Sequence, residues 1–245
     1  MKNLFCFIIL FFLLSISVSA NIIDPWDEMT YEKLDVEINK SSDTLHASFS
    51  GQYHFDFSYG PGPMWFFFPV PEDVSNLHVW VYNEEIPWVL EHSGMFVTYV
   101  PEKDILPGIY WECDVYTTGT SIFKVEYEHD LIRRQYEYPR VCEEYPPPEV
   151  PDDSDEYIFI YPFTREWSFS EPGNPADIDI KIPEDYPLTG VWIAYYDYGY
   201  IFEPVEYTLA GQHILISFEH ILDMSLIVAM GRHGTAAHSG WEFYE

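Results

Sequence analysis

Residues 53–80 decide the predicted fold, and they read YHFDFSYGPGPMWFFFPVPEDVSNLHVW. An aromatic segment runs into a glycine–proline turn at 60–63, and two further apolar segments follow, the second of which ends at Trp80. Apolar and polar residues alternate at a period of two, which is typical of strands with one buried and one wet face. The stretch therefore predicts three short β-strands that are joined by tight turns.

The same order of features returns 112 positions later, where residues 165–192 read REWSFSEPGNPADIDIKIPEDYPLTGVW. An ungapped alignment of 53–91 with 165–203 contains nine identities, and Trp80 falls opposite Trp192. We interpret this similarity as a tandem duplication, with chance as the alternative. A tryptophan that is repeated in one structural position predicts a core side chain in both copies.

Turn signals divide the rest of the chain in the same way, at 40–43, 93–94, 118–119 and 210–211. Short strands separated by turns every eight to twelve residues are typical of sandwiches and barrels. We therefore predict an all-β protein of two tandem immunoglobulin-like or jelly-roll-type antiparallel β-sandwich domains.

One segment resembles a feature of immunoglobulin-like sandwiches. Residues 106–110 read LPGIY, and a tight turn that leads into a strand with an early tyrosine is similar to the tyrosine corner of that class. The resemblance implies a turn at Pro107-Gly108 ahead of Tyr110. The second half of the chain has no counterpart, because residues 221–225 read ILDMS.

The first twenty residues, MKNLFCFIILFFLLSISVSA, are organised like a secretory signal peptide. Lys2 precedes an apolar run, and Val18-Ser19-Ala20 supplies the small residues for cleavage after Ala20. An uncleaved anchor is the alternative, although the run is shorter than the roughly 20 apolar residues that span a bilayer. We expect a secreted or cell-envelope protein with no transmembrane segment after signal cleavage.

An acidic, proline-rich stretch separates the two copies. Residues 143–156 read EEYPPPEVPDDSDE, with seven acids, four prolines and no base. Prolines and like charges favour an extended, solvated spacer, so we predict domains at 21–142 and 157–245. A calcium loop at 152–156 is the alternative, but the glycine and the spaced glutamate of an EF-hand are missing.

Two cysteines, Cys113 and Cys142, follow the predicted signal peptide. In an exported chain such a pair predicts one disulfide, and closing a loop of about 30 residues stabilises by roughly 3–4 kcal/mol. Two buried free thiols are the alternative. We predict no metal site at either cysteine, since neither belongs to a CxxC motif or has an adjacent histidine.

The chain of 245 residues is strongly acidic, with 41 Asp and Glu against 11 Lys and Arg and a net charge of -30. This charge repels phosphate backbones and anionic lipid headgroups, which argues against nucleic-acid binding and electrostatic membrane docking. Aromatic residues make up 19% of the chain, far more than in disordered acidic tails. We therefore expect a packed core.

Sequence motifs for nucleophilic catalysis and phosphate-binding glycine loops are missing. His233 and His238 are spaced for a loop chelate, but we favour their interpretation as surface histidines. Two carboxylates can hydrolyse a glycoside, yet 41 acids single out no pair. We predict no catalytic residue, no metal and no cofactor.

The candidate ligand-binding residues are Tyr195, Tyr196, Asp197, Tyr198 and Tyr200. Neighbouring side chains of a strand face opposite sides, so some of these tyrosines meet solvent. Aromatic faces stack on sugar rings and a carboxylate accepts hydroxyl hydrogen bonds, which makes the segment a candidate glycan platform. Half-buried core tyrosines are the alternative, and the one that we favour.

The predicted function is extracellular or envelope binding and adhesion by an exported, non-catalytic β-sandwich protein. The sequence does not identify the partner, and a glycan and an envelope protein are the candidates. A secreted carbohydrate-binding module or glycoside hydrolase is one alternative. A structural envelope component, whose edge strands pair with partner strands, is another.

Overall fold

The computed structural model describes residues 28–42, 44–57, 62–71, 73–96, 105–115, 119–133, 156–163, 175–196, 200–219 and 224–231. All regular structure in these ranges is β-strand, which confirms the prediction of an all-β protein. None of these ranges holds a helix of the length and apolarity that crossing a membrane requires. The predicted signal peptide lies outside them, as does the predicted linker apart from Glu156.

Sixteen strands occur in the described ranges. In chain order they are β1 Glu28–Ser41, β2 Thr44–Asp56, β3 Gly62–Pro69, β4 Ser75–Val81, β5 Glu84–Glu85, β6 Val89–Phe96, β7 Ile105–Val115, β8 Ser121–Asp130, β9 Ile132–Arg133, β10 Glu156–Phe163, β11 Ala176–Lys181, β12 Leu188–Tyr196, β13 Tyr200–Pro204, β14 Thr208–Ala210, β15 His213–Phe218 and β16 Met224–Gly231.

The strands form three sheets. The largest has eight strands in the order β14-β15-β11-β1-β2-β8-β4-β5, the second has the order β13-β12-β16-β10-β9, and the third is β3-β7-β6. Strands β1 and β11 run parallel, with Leu34 opposite Ile178. The prediction of purely antiparallel sheets is wrong for this pair and right for the other pairs in the described ranges.

Strands from both sides of the predicted linker pair with each other. Strand β1 belongs to 21–142 and β11 to 157–245, while β9 and β10 pair across the same boundary. The main hydrophobic core also contains side chains from both ranges. The two halves thus share a sheet and a core, and their division into separately folding domains stays a prediction.

The two smaller sheets pack on one face of the eight-stranded sheet, which gives a sandwich-like arrangement. Phe68 of β3 lies against Phe49 of β2, and Tyr161 of β10 stacks on the same Phe49 with ring centroids 5.4 Å apart. Phe66 of β3 packs on Phe123 of β8 at 4.8 Å. Each fully buried phenylalanine contributes about 1.5–3 kcal/mol, so these aromatic contacts between sheets dominate the core.

The opposite face of the eight-stranded sheet is polar, and Trp80 lies on it. Leu77, Val79 and Val81 occupy the inward positions of β4, so the alternation of the strand places Trp80 outside, where Lys124 approaches its ring at 5.0 Å. The predicted core position of Trp80 is therefore wrong. Trp192 is buried, but in a small cluster apart from the main core.

The strands that the predicted repeat aligns do not share a sheet. Strand β3 pairs with β7 in the three-stranded sheet, whereas its aligned partner β11 lies between β1 and β15 in the eight-stranded sheet. The tandem duplication stays a prediction.

Candidate functional site

An exposed aromatic surface lies on the outer side of the three-stranded sheet. It consists of four apolar side chains and two carboxylates, and we call it the aromatic face: Trp65, Phe67, Val89, Tyr110, Glu91 and Glu112. Strand pairing places them in neighbouring rows, because Phe67 is opposite Tyr110, Tyr110 is opposite Val89, and Trp65 is opposite Glu112.

The sequence of β3 makes this surface unavoidable. Residues 64–68 read MWFFF, an apolar run with no polar residue to fill the outward positions. Phe66 and Phe68 are buried in the main core, so the period of two turns Trp65 and Phe67 outward. Trp65 is 66% exposed, the largest exposed fraction among the large apolar side chains of the described residues.

Phe67 is 5% exposed although it points away from the core, because the sheet provides a seat for its ring. Gly108 lies beneath the ring, and a Cβ atom at that position would overlap it. Tyr110 covers it from the side, with the two ring centroids 4.6 Å apart. Phe67 is therefore a fixed part of the aromatic face, beside the more exposed ring of Tyr110 and two positions from Trp65 on the same strand.

The course of β7 corrects the tyrosine-corner interpretation. The strand runs without interruption from Ile105 to Val115, so Pro107-Gly108 is not a turn. Tyr110 contacts Phe67 on the outer face. The glycine serves the close approach of an aromatic ring rather than a change of chain direction.

The polar groups around the aromatic face are hydrogen-bond acceptors. Glu91, Glu112 and Asp114 are exposed there, and the ranges 62–71, 84–91 and 107–115 contain no Lys, Arg or His. Burial raises the pKa of the Tyr110 hydroxyl, and the charge of Glu91 raises it further. At neutral pH the surface therefore offers carboxylate acceptors and one protonated phenol beside its rings.

The outer edge of β3 has few hydrogen-bond donors. Val70 donates its N–H to the Pro107 carbonyl at 2.9 Å. In the regular β3–β7 ladder, the even-numbered residues of β3 therefore direct their backbone N–H and C=O groups toward β7. The odd-numbered residues then direct their backbone groups outward, and two of them, Pro63 and Pro69, have no N–H. Trp65 and Phe67 supply the remaining amide donors of this edge.

The predicted tyrosine strip lies at the end of the β12–β13 hairpin, in the five-stranded sheet. Tyr196 pairs with Tyr200 there, and Tyr195 pairs with Ile201. Asp197 and Tyr198 lie outside the described residues. The ligand-binding role of this strip stays a prediction, and its strands belong to a different sheet from the aromatic face.

Cys113 lies on β7, packs against the main core and has no disulfide partner among the described residues. Burial raises its pKa to about 12, with Asp114 and Glu112 adding to the effect, so the thiol is protonated at neutral pH. Cys142 lies outside the described residues, and the predicted disulfide stays a prediction. The described residues form no group of three or more side chains that could hold a metal ion.

Sequence reasoning singled out residues 195–200 and missed the aromatic face. The signal was present in MWFFF, because a strand in a half-wet sheet cannot bury both faces of an uninterrupted apolar run. The alternation of Phe66 and Phe68 predicted one buried and one wet face for this strand, but Trp65 and Phe67 on the wet face were not singled out as a site.

Comparison with known proteins shows a likeness at the level of structure. No protein-family model and no curated protein matches the chain. A protein of Legionella pneumophila that is described as nutrient binding is 9% identical, with a TM-score of 0.51 over 86% of this chain and 69% of that one. At this identity the likeness is one of fold alone.

Two other structures are also similar over part of their length. An M1 zinc metallopeptidase of Deinococcus radiodurans is 10% identical over 84% of this chain, with a TM-score of 0.39, and the yeast LTA4 hydrolase is 6% identical over 87%, with a TM-score of 0.44. The chain spans 43% of the first protein and 31% of the second.

Proposed function

We propose that the protein is an exported, non-catalytic binding protein and that the aromatic face is its contact surface. The observation that carries this proposal is the 66% exposure of Trp65 in the middle of a strand. An indole in that position leaves a large apolar area in water and adds little to the fold. Exposed aromatic groups on a rigid support are typical of binding surfaces.

The rigidity of the support strengthens the proposal. Trp65 lies between core residues of the same strand, and Tyr110 and Phe67 hold each other against Gly108. The Phe67 and Tyr110 rings are fixed before a ligand arrives, so they lose little conformational entropy on binding. Export rests on the signal-like first twenty residues.

Assembly by strand addition has less support at the edges formed by β14, β5 and β3. The eight-stranded sheet ends at β14 and β5, which have three and two residues. The outer edge of β3 lacks amide donors at Pro63 and Pro69, and main-chain hydrogen bonds are what hold an added strand. Short edges and edge prolines are the means by which proteins avoid such pairing.

The test is co-sedimentation of the secreted protein with purified cell envelopes of the organism that produces it. We expect Trp65→Ala to weaken binding at least tenfold while its free energy of unfolding stays within about 0.5 kcal/mol of wild type, because the side chain is mostly exposed. Trp80→Ala, on the polar face, is the matched control and should bind like wild type. Equal binding by the two variants, or no binding by wild type, would contradict the proposal.

A further inference from the structure

We infer that the ligand of the aromatic face is a neutral glycan, an inference that rests on the proposed binding function. The surface is a set of aromatic side chains on a sheet, with Trp65 and Phe67 on β3 and Tyr110 opposite Phe67 on β7. A pyranose ring has an apolar face of C–H groups, which carry partial positive charge. Such a face stacks on the electron-rich face of an indole or phenol.

The polar rim selects for hydroxyl groups. Glu91, Glu112 and Asp114 are exposed acceptors, and residues 62–71, 84–91 and 107–115 contain no basic residue, while His92 follows Glu91 in β6. Apart from the Tyr110 hydroxyl, the ligand must therefore bring the hydrogen-bond donors, and a sugar has several around the edge of each ring. Hydrogen bonds to ionised acceptors are stronger than those between neutral groups.

The same carboxylates exclude acidic ligands. Uronate, sulfate and phosphate groups would approach three like charges on this surface, in a protein whose net charge is -30. A lone apolar contact does not compensate for such repulsion at low salt. The chemistry therefore indicates a neutral chain of sugars rather than an acidic one.

The size of the surface favours a glycan over a folded protein. The outer side of the three-stranded sheet presents about ten described residues, and a stable protein interface uses about 20–30 residues on each side. A short run of sugar units needs a few stacked rings and a few acceptors, which is what the aromatic face contains.

The experiment separates this inference from the proposed function by treating the envelopes before the protein is added. One sample is oxidised with periodate, which cleaves vicinal diols of sugars, and is then quenched; a second is digested with protease. We expect periodate to abolish the Trp65-dependent co-sedimentation and protease to leave it intact. Loss after protease alone would overturn the glycan while the binding function stands. Binding that does not depend on Trp65 would overturn both.

The charge of the glycan is tested by competition. Soluble polysaccharide released from the same envelopes is divided by anion exchange into a neutral and an acidic fraction. The neutral fraction should displace the wild-type protein from the envelopes. It should also quench the tryptophan fluorescence of wild type, and this quenching should be absent in Trp65→Ala. The double variant Glu91→Gln, Glu112→Gln should lose about three- to tenfold in affinity for the neutral fraction. Displacement by the acidic fraction alone, or stronger binding by the double variant, would overturn the assignment.

Discussion

The Tyr161 hydroxyl donates a hydrogen bond to Oε1 of Glu32 at 2.5 Å, and this bond joins the five-stranded sheet to the eight-stranded sheet. Glu32 is 2% exposed, and the Tyr53 hydroxyl lies 2.9 Å from that of Tyr161. Gly51 leaves the space that the Tyr53 side chain occupies. Burial, together with the charge of Glu32, raises the pKa of both tyrosines well above their ordinary value. The three side chains form a buried polar chain between the sheets.

This chain predicts a stability loss for Tyr161→Phe. The change removes a hydrogen bond to a buried carboxylate, so the free energy of unfolding should fall by about 1–3 kcal/mol. Tyr53→Phe removes one neutral hydrogen bond and should lose about 0.5–1.5 kcal/mol. Urea unfolding measures both, with the exposed Tyr207→Phe as the control that stays unchanged. Equal stability of Tyr161→Phe and the control would show that the bond does not contribute.

Gly108→Ala should damage the aromatic face and the fold together. The added methyl group overlaps the Phe67 ring, and crowding of this kind destabilises by about 1–3 kcal/mol. Gly62→Ala is the matched control in the same sheet, because no atom lies within 4 Å of its added Cβ. Thermal unfolding and envelope binding should both weaken in the first variant and stay near wild type in the second. A Gly108→Ala variant that is as stable as wild type would contradict the packing of the Phe67 ring against Gly108.

Two histidines of neighbouring strands should give opposite pH dependences. Burial lowers the pKa of His129, so its contribution to stability is present above the ordinary value of about 6.5 and is lost as the pH falls below it. The hydrogen bond to Asp130 raises the pKa of His46, whose contribution is present below about 6.5 and is lost as the pH rises through the raised value.

Unfolding free energies at pH 8 and pH 5 test this pair. When the pH falls from 8 to 5, the free energy of unfolding of His129→Gln should decrease less than that of wild type, because the unfavourable protonation of a buried ring is gone. His46→Gln should lose more, because the favourable protonation beside Asp130 is gone. The same change in both variants and wild type would refute the assignment.

Cys113 should be nearly unreactive in the folded protein. A pKa of about 12 leaves about one thiol in ten thousand as thiolate at pH 8, against about a quarter at the ordinary pKa of 8.5. In a Cys142→Ser variant, alkylation of the native protein should therefore be about a thousand times slower than that of the denatured one. If denatured wild-type protein shows no reactive thiol, Cys113 and Cys142 form the predicted disulfide instead.

Local turn chemistry was predictable at some positions and misleading at another. The turn expected at 40–43 connects β1 to β2, with Ser41 opposite Thr44, and that at 210–211 connects β14 to β15. Residues 93–94 lie within β6, where the register with β7 shifts between Glu91 and Met95. A glycine inside a strand can mark a bulge as readily as a turn, and only the neighbouring strand decides between them.

The candidate site illustrates a second limit. The run at 64–68 specifies a strand with two apolar faces, but its sequence does not say which face meets a second layer. The fold decides which face is buried, because Phe66 and Phe68 pack in the main core and the alternation of the strand then places Trp65 on the outer face. The prediction for Trp80 is wrong for the same reason, since Leu77, Val79 and Val81 take the inward positions of β4 and Trp80 falls on the polar side of the sheet.

The sequence alone determined the all-β class, because alternation at a period of two is a local property of the chain and survives any arrangement of the strands. It also determined the acidic character and the classes of partner that this character repels. Only the tertiary structure decided the parallel pair of β1 with β11, the shared core of the two halves and the outward position of Trp65. These depend on contacts between residues far apart in the sequence, such as Leu34 with Ile178 and Phe66 with Phe123. The packing of whole sheets selects among the many pairings that local alternation permits.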